Sequence, residues 1–391
     1  MKPMLTEQHC HLSGLVTASD VVAICESWPV DASLAVVGGG AGILALARQG
    51  ETVLAQRWCL KPVPPSSHRG WSGWQRFQAH AAVAGAHPGE RPRRAQERLF
   101  AVSQTILQRQ AARWCKEGVS SAEVRIHVGA AASNVQCAYV DHCFDVAEQL
   151  RQLVDLRIRL TLPRQGWQRV VERLVSALET HSDRWVGWDF SGHETQPAAA
   201  VACAQLPLAP AANLSVHAGE QLAGPRPYLD ALRHCHEAVT LWGAQRLGHA
   251  AILGLSPQAW IGRAWQWSPA DLSAASAWLD ERLPPAHATA CSAAGLLQPQ
   301  GVVTAQASEA LQVVLAWVIE ELRESGVLIE TCPTSNARIV ASARLRHPLP
   351  GLLATRLPLV VGTDDPGLLG TSPRKEYARM QHFAKLACAD R

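Results

Sequence analysis

The chain has 391 residues, 48% of them apolar, and 36 basic against 33 acidic residues give a net charge of +3. That apolar share fills a large core and excludes the disordered class. The basic residues are scattered, with only Arg91-Pro92-Arg93-Arg94 approaching a cluster, which excludes the dense stripe expected of a protein that binds a nucleic-acid polymer. No apolar run reaches the roughly 18 residues of a membrane span. Eleven cysteines without a repeated short spacing read as thiols of a reducing compartment. Met1–Leu5 leaves no room for a secretory leader before the first motif. The expectation is a soluble, cytoplasmic protein with no membrane partner.

Short apolar, β-rich segments then recur along the chain, most of them ending beside a polar or ionisable residue. They are Met4–His11, Ala122–Val128, Leu156–Leu162, Trp185–Ser191, Asn213–His217, Gln245–His249, Val327–Thr331 and Leu357–Thr363. Helical patterns separate them. Ala95–Lys116 carries Leu99, Val102, Ile106 and Leu107 on one face and stops at Gly118, and Gln168–Leu178 carries a stripe of Val170, Val171, Leu174 and Val175. Eight strands alternating with helices predict an α/β protein of the (β/α)8 TIM-barrel class, with catalytic groups at the C-terminal strand ends. Two connections are too long for simple crossovers: residues 12–118 after strand 1, predicted as a helical lid, and a Trp-rich insertion at 250–326 after strand 6. The domain reading is therefore one barrel, 1–391, with two long insertions on its C-terminal face.

Chemistry concentrates at those strand ends. His9 and His11 flank Cys10 on the first strand, where alternation puts both imidazoles on one face. His217, His249 and the pair Asp364-Asp365 end later strands. Three imidazoles and a carboxylate suit zinc, with one position left for water, and point to metal-assisted hydrolysis. Glu220, three residues beyond His217, is placed to give or take a proton. A second pair, His234-Cys235-His236, is set aside because it falls in a helix-like run, where i and i+2 do not share a face. Glu123 and Arg125 share a strand face and predict an internal ion pair. The string Ala35–Ile43 imitates a dinucleotide-binding turn, but Ile43 occupies the third glycine's place and no acidic residue ends the next candidate strand. A lid loop is the better reading, and an oxidoreductase the weaker one.

The motifs Glu7-Gln8-His9-Cys10-His11-Leu12, Gly187-Trp188-Asp189-Phe190-Ser191-Gly192, Ser215-Val216-His217-Ala218-Gly219-Glu220, Arg246-Leu247-Gly248-His249, Glu330-Thr331-Cys332-Pro333-Thr334-Ser335-Asn336 and Thr363-Asp364-Asp365-Pro366 run through the chain in order. In them the chain resembles the adenosine and AMP deaminase group of the metal-dependent amidohydrolases. The resemblance implies one Zn2+ per chain held by His9, His11, His217 and Asp364. It implies Glu220 as proton donor to purine N1, His249 as the residue that orients and activates water, and Asp365 near N7 with the Gly192 N–H at N3. Asp364 is catalytic as well as metal-binding, and His11 and Ser13 border the substrate. The implied reaction converts adenosine, AMP or dAMP to the inosine form with release of ammonia.

One departure bears on the substrate. Adenosine deaminases carry Asp in His-Leu-Asp-Gly, whereas this chain has His11-Leu12-Ser13-Gly14. An uncharged Ser13 removes the repulsion that a carboxylate would exert on a 5′-phosphate, so a monophosphate is expected, with Lys61 or Arg69 of the first lid as counter-charges. Trp71, Trp74 and Phe77 of that lid are expected to pack it on the barrel. Another aminopurine or an N6-substituted AMP remains an alternative substrate, and a catalytically silent nucleotide-binding protein is the alternative of another class. Oligomeric state, including a homo-oligomer, and the role of the Trp-rich insertion stay open.

Overall fold

The computed structural model describes residues 5–17, 19–20, 22–23, 36–37, 41–42, 92–128, 134–181, 183–192, 194, 213–222, 224–342 and 345–389. Eight of its strands form one sheet whose neighbours follow chain order. They are β1 Leu5–His11, β2 Val119–His127, β3 Asp155–Pro163, β4 Trp185–Ser191, β5 Asn213–Ala218, β6 Arg246–His249, β7 Leu328–Thr331 and β8 Leu359–Val361. The pairs β1–β2, β2–β3, β5–β6 and β6–β7 are all parallel. A parallel bridge from Cys10 to Asp364 ties the first strand to the residues just after the last.

Helices fill the connections, among them α1 Pro92–Glu117, α2 Asn134–Gln149, α3 Trp167–Thr180, α4 Tyr228–Thr240, α5 Pro269–Arg282, α6 Pro285–Ala293, α7 Ala305–Ser325, α8 Pro333–Ser342, α9 Leu349–Ala354 and α10 Pro373–Ala389. This is the (β/α)8 barrel that the alternation predicts. Both long predicted helices are present and extend a few residues past their predicted ends. Among the described residues, no helix is long and apolar enough to cross a membrane.

The chain divides into two compact units. One comprises Met1–Asp189, Pro207–Ala212 and Val361–Tyr377; the other comprises Phe190–Leu206, Asn213–Val360 and Ala378–Arg391.

In the first unit β3 buries Leu156, Ile158, Leu160 and Leu162 on one face and Arg159 and Thr161 on the other. Charges buried among them are satisfied across strands. Glu123 accepts from Arg159 at 3.0 and 3.2 Å, Arg159 also donates to the Trp188 carbonyl at 3.0 Å, and Arg125 approaches Asp189 at 3.5 Å. Glu123 and Arg125, expected to pair on their own strand, thus pair with residues of β3 and β4. Of the glycine-rich string, Val36–Val37 returns antiparallel onto Ala41–Gly42. A dinucleotide fingerprint requires a strand leading into a helix. The rest of that string, Lys61, Arg69, Trp71, Trp74 and Phe77 lie outside the described residues.

In the second unit, helix ends follow from sequence. Thr304 caps α7 by accepting from the Ala307 N–H at 3.1 Å, and Gly326 ends it with φ +69°. Ser268, followed by Pro269, caps α5 in the same way through Asp271. The Trp-rich insertion contains α5, α6 and a short antiparallel pair, Ala264–Gln266 with Gln300–Val302. Its tryptophans 260, 265, 267 and 278 are buried. Three of them donate indole N–H bonds: Trp265 to the Gln298 carbonyl, Trp267 to the Leu296 carbonyl and Trp278 to His236 Nδ1. These side chains therefore act as core. His234 and His236 do lie on a helix, α4, as their rejection as a ligand pair assumed.

Candidate metal and catalytic site

Within the first unit, the end of β1 and the segment after β8 are stitched together by backbone. His11 N–H donates to the Asp364 carbonyl at 2.9 Å, and Asp364 N–H donates to the His9 carbonyl at 2.7 Å. Asp364 is thereby seated between two histidines whose rings point the same way, with centroids 5.3 Å apart. Gly362 permits the approach, since a Cβ there would stand 2.4 Å from His9 Cβ.

The side chains converge accordingly. Asp364 Oδ1 lies 3.4 Å from His11 Nε2 and 4.0 Å from His9 Nε2, and one donor atom from each of the three residues lies within 4.8 Å of the others. A tetrahedral zinc with bonds of 2.0–2.1 Å separates its ligand atoms by about 3.3 Å. The donor set and its spacing fit such an ion.

Glu7 secures this corner. Its carboxylate accepts from the His9 N–H at 3.0 Å, the Thr363 N–H at 3.1 Å and the Thr363 hydroxyl at 2.7 Å. Full burial pushes its pKa up to about 8, against the lowering effect of those hydrogen bonds. Asp365, the next residue, is buried with Gly14 against it: a Cβ on Gly14 would fall 1.8 Å from Asp365 Oδ1 and 2.5 Å from its Cα. Glycine follows Leu12-Ser13 because no larger residue leaves space for Asp365. The Ser13 side chain lies outside the described residues.

Within the second unit, β5 delivers His217 and the turn after it delivers Glu220, while β6 delivers His249. The His217 and His249 rings are 5.3 Å apart, and Glu220 Oε1 lies 3.8 Å from His249 Nε2. His249 Nδ1 stands 2.9 Å from Asn336 Oδ1, and Asn336 Nδ2 donates to the Thr331 hydroxyl at 3.3 Å. The second bond orients the amide so that its oxygen faces the ring. His249 then carries its proton on Nδ1 and leaves Nε2 as the acceptor on the Glu220 side. Below them Glu330 pairs with Arg246 and accepts from the Ser215 hydroxyl at 3.2 Å, tying β5, β6 and β7. Gly192, just after β4, is exposed with φ +106°, and its carbonyl accepts from Gln221 Nε2 at 3.3 Å.

Among the described residues, four other than glycine have left-handed backbone, His249 (φ +65°), Ala250 (φ +43°), Arg356 (φ +59°) and Asp364 (φ +62°), a region that costs an L-residue roughly 1–2 kcal/mol. Non-glycine residues are held there where surrounding structure enforces it, most often at functional sites.

Comparison with known proteins agrees with this arrangement. Residues 308–390 match the family model described as adenosine deaminase. A curated relative, the aminodeoxyfutalosine deaminase of Acidothermus cellulolyticus, is 43% identical over 61 residues, which is 15% of this chain and 17% of that protein. The match thus spans about a sixth of the relative's length. Among solved structures, adenine deaminase from Arthrobacter aurescens aligns with a TM-score of 0.55 at 16% identity, covering 98% of this chain and 88% of that one. The N6-methyl-AMP deaminase of Arabidopsis thaliana aligns at 0.53 with 15% identity, covering 99% and 90%. At such identities the likeness shows the shared barrel. The matched segment includes α8 and the residues after β8, hence Asn336, Asp364 and Asp365.

Sequence reasoning placed His9, His11, His217, Glu220, His249, Asp364 and Asp365 at strand ends, where the structure has them. It gave no role to Glu7, Glu194 or Asn336. Glu7 and Asn336 stand inside quoted motifs, where their spacing from His9 and Cys332 was the available signal. Glu194 lies two residues beyond Gly192 with no periodic pattern to single it out.

Proposed function

We propose that the protein is a zinc-dependent hydrolytic deaminase, acting on the cyclic amidine C–N bond of an adenine nucleoside or nucleoside 5′-monophosphate. The observation that carries this reading is the convergence of His9, His11 and Asp364, whose donor atoms lie within 4.8 Å of one another. His217, near the C-terminal end of β5, is the fourth residue of the proposed ligand set, as the family resemblance implies. Bound there, zinc supplies the Lewis acidity that makes water a nucleophile at neutral pH.

The chain's own residues perform the remaining work. His249, held on Nδ1 by Asn336, accepts a proton at Nε2 as water attacks purine C6. Glu220 gives its proton to N1, which makes C6 electrophilic. Asp365 receives the ring near N7 and the Gly192 N–H meets N3; the proton taken up by His249 passes to the 6-amino group, the C6–N bond breaks to release ammonia, and the C6 hydroxyl proton returns to Glu220, which leaves the C6 carbonyl of the inosine form.

The 5′-monophosphate is favoured by the uncharged Ser13. Fold neighbours titled N6-methyl-AMP deaminase and an IMP complex are in keeping with a nucleotide ligand. They also support the second reading, an N6-substituted AMP or another aminopurine.

A panel of adenine, adenosine, deoxyadenosine, AMP, dAMP, ATP and N6-methyl-AMP, followed by ammonia release and ultraviolet difference, separates these readings. Adenosine turned over far faster than AMP and dAMP refutes the phosphate assignment. A zinc-loaded protein silent on every substrate refutes the deaminase. Metal analysis is expected to give one zinc per chain, lost in His9→Ala and His217→Ala and kept in Glu220→Gln, which is expected to abolish turnover.

A further inference from the structure

The tail of β4 carries a buried carboxylate to which the proposed reaction assigns nothing. Glu194 is fully buried. Its Oε1 accepts from the Glu220 N–H at 2.7 Å and the Gln221 N–H at 3.0 Å, and its Oε2 accepts from the Gly219 N–H at 3.0 Å and from Arg226 Nη1. Three consecutive backbone N–H groups therefore converge on one anion, the concave arrangement by which a turn binds negative charge.

Gly219 makes the turn possible. It has φ +69°, and a Cβ would stand 2.6 Å from Ile252 Cγ2 and 2.7 Å from Cys235 Sγ. The contact is also returned. Gln221 Oε1 accepts from the Glu194 N–H at 3.2 Å, while its Nε2 holds the Gly192 carbonyl at 3.3 Å. Arg226, which balances the charge, is itself fixed by Asp230 at 2.8 Å.

We infer that Glu194 is a positioning residue whose carboxylate fixes the Gly219–Gln221 turn and so sets the Glu220 carboxyl against His249 Nε2. The inference rests on the deaminase reading for the role of Glu220, but the clasp itself does not. The side chain of Glu220 rises from a backbone whose N–H makes the shortest of the three turn bonds to Glu194. Charge-assisted bonds of this kind hold geometry more firmly than neutral ones. A glutamine at 194 keeps the shape, but turns its amide N–H groups toward the Gly219 N–H and the Arg226 guanidinium.

The test measures amide exchange and turnover on zinc-loaded Glu194→Gln. Faster exchange is expected at residues 219–221 with α4 unchanged, together with a kcat about 10- to 100-fold lower at nearly constant KM and unchanged zinc content. Glu194→Asp, which keeps the charge on a shorter arm, is expected to recover part of the kcat. Faster exchange with unaltered kcat overturns the positioning role, and unaltered exchange overturns the clasp. Should Glu194→Gln fail to fold, Gln221→Ala cuts the reciprocal half of the contact from a half-buried side chain; faster exchange with lower kcat supports the inference, and unaltered kcat overturns it. A wild-type protein that deaminates no member of the panel refutes the activity instead, and exchange then decides the clasp alone.

Discussion

Gly14→Ala adds one methyl group at the point where β1's 3-10 extension meets Asp365. The new Cβ would fall 1.8 Å from Asp365 Oδ1 and 2.5 Å from Asp365 Cα, where real Cβ contacts stay beyond 3.0 Å. Rotating the carboxylate relieves the first overlap but not the second, because the second is with backbone. One segment must retreat by about 1 Å, and a displacement of that size at a reacting centre costs about 100-fold in rate, or roughly 3 kcal/mol of barrier. Asp364 precedes Asp365 directly and is bonded to β1 on both its N–H and carbonyl, so the retreat also pulls on the proposed zinc ligand. Overpacking of this kind costs about 1–3 kcal/mol of stability. The assay is kcat/KM on the best panel substrate, with zinc per chain and the unfolding midpoint measured on the same preparation. A Gly14→Ala protein within threefold of wild type in kcat/KM, fully loaded with zinc, refutes the argument that this glycine exists to seat Asp365.

Asn336→Leu removes the acceptor that fixes the His249 tautomer, and kcat is expected to fall about 10- to 100-fold at nearly constant KM; an unchanged kcat shows that the ring needs no such support. Arg159→Met strips buried Glu123 of its guanidinium and is expected to cost about 3–5 kcal/mol in urea unfolding, much of it recovered by adding Glu123→Leu. Equal losses in the single and double variants refute that coupling. His236 is held down to about 4 by burial and by Arg282, so above pH 6.5 neither folded nor unfolded chain protonates it. Between pH 6.5 and about 4 the unfolded chain gains the proton, and stability drains by about 2 kcal/mol by pH 5. His236→Gln, which keeps an acceptor for Trp278, is expected to flatten that slope by about one proton; an identical slope excludes His236 as its source.

The barrel was legible because each strand is a short apolar run ending at a polar residue, and because α1 and α3 carry unambiguous stripes. His9 and His11 were legible as a pair because alternation alone puts them on one face. Cross-strand partners were less so. Glu123 meets Arg159 through parallel register and a long side chain, which local spacing does not encode. Glu194 was invisible for the same reason, since its partners are backbone N–H groups 25 to 27 positions away. The role of the Trp-rich insertion was open from the sequence, and its indoles bury themselves and find their own acceptors.

The left-handed backbone at His249 and Asp364 limits how this chemistry could be transplanted. An engineer who copied only the imidazoles and carboxylates onto an idealised barrel would aim them along ordinary strand directions. The portable piece is larger: it includes the left-handed turn at each of these two residues, with the Glu7 bonds to His9 and Thr363 in one unit and the Asn336 contact with the His249 ring in the other.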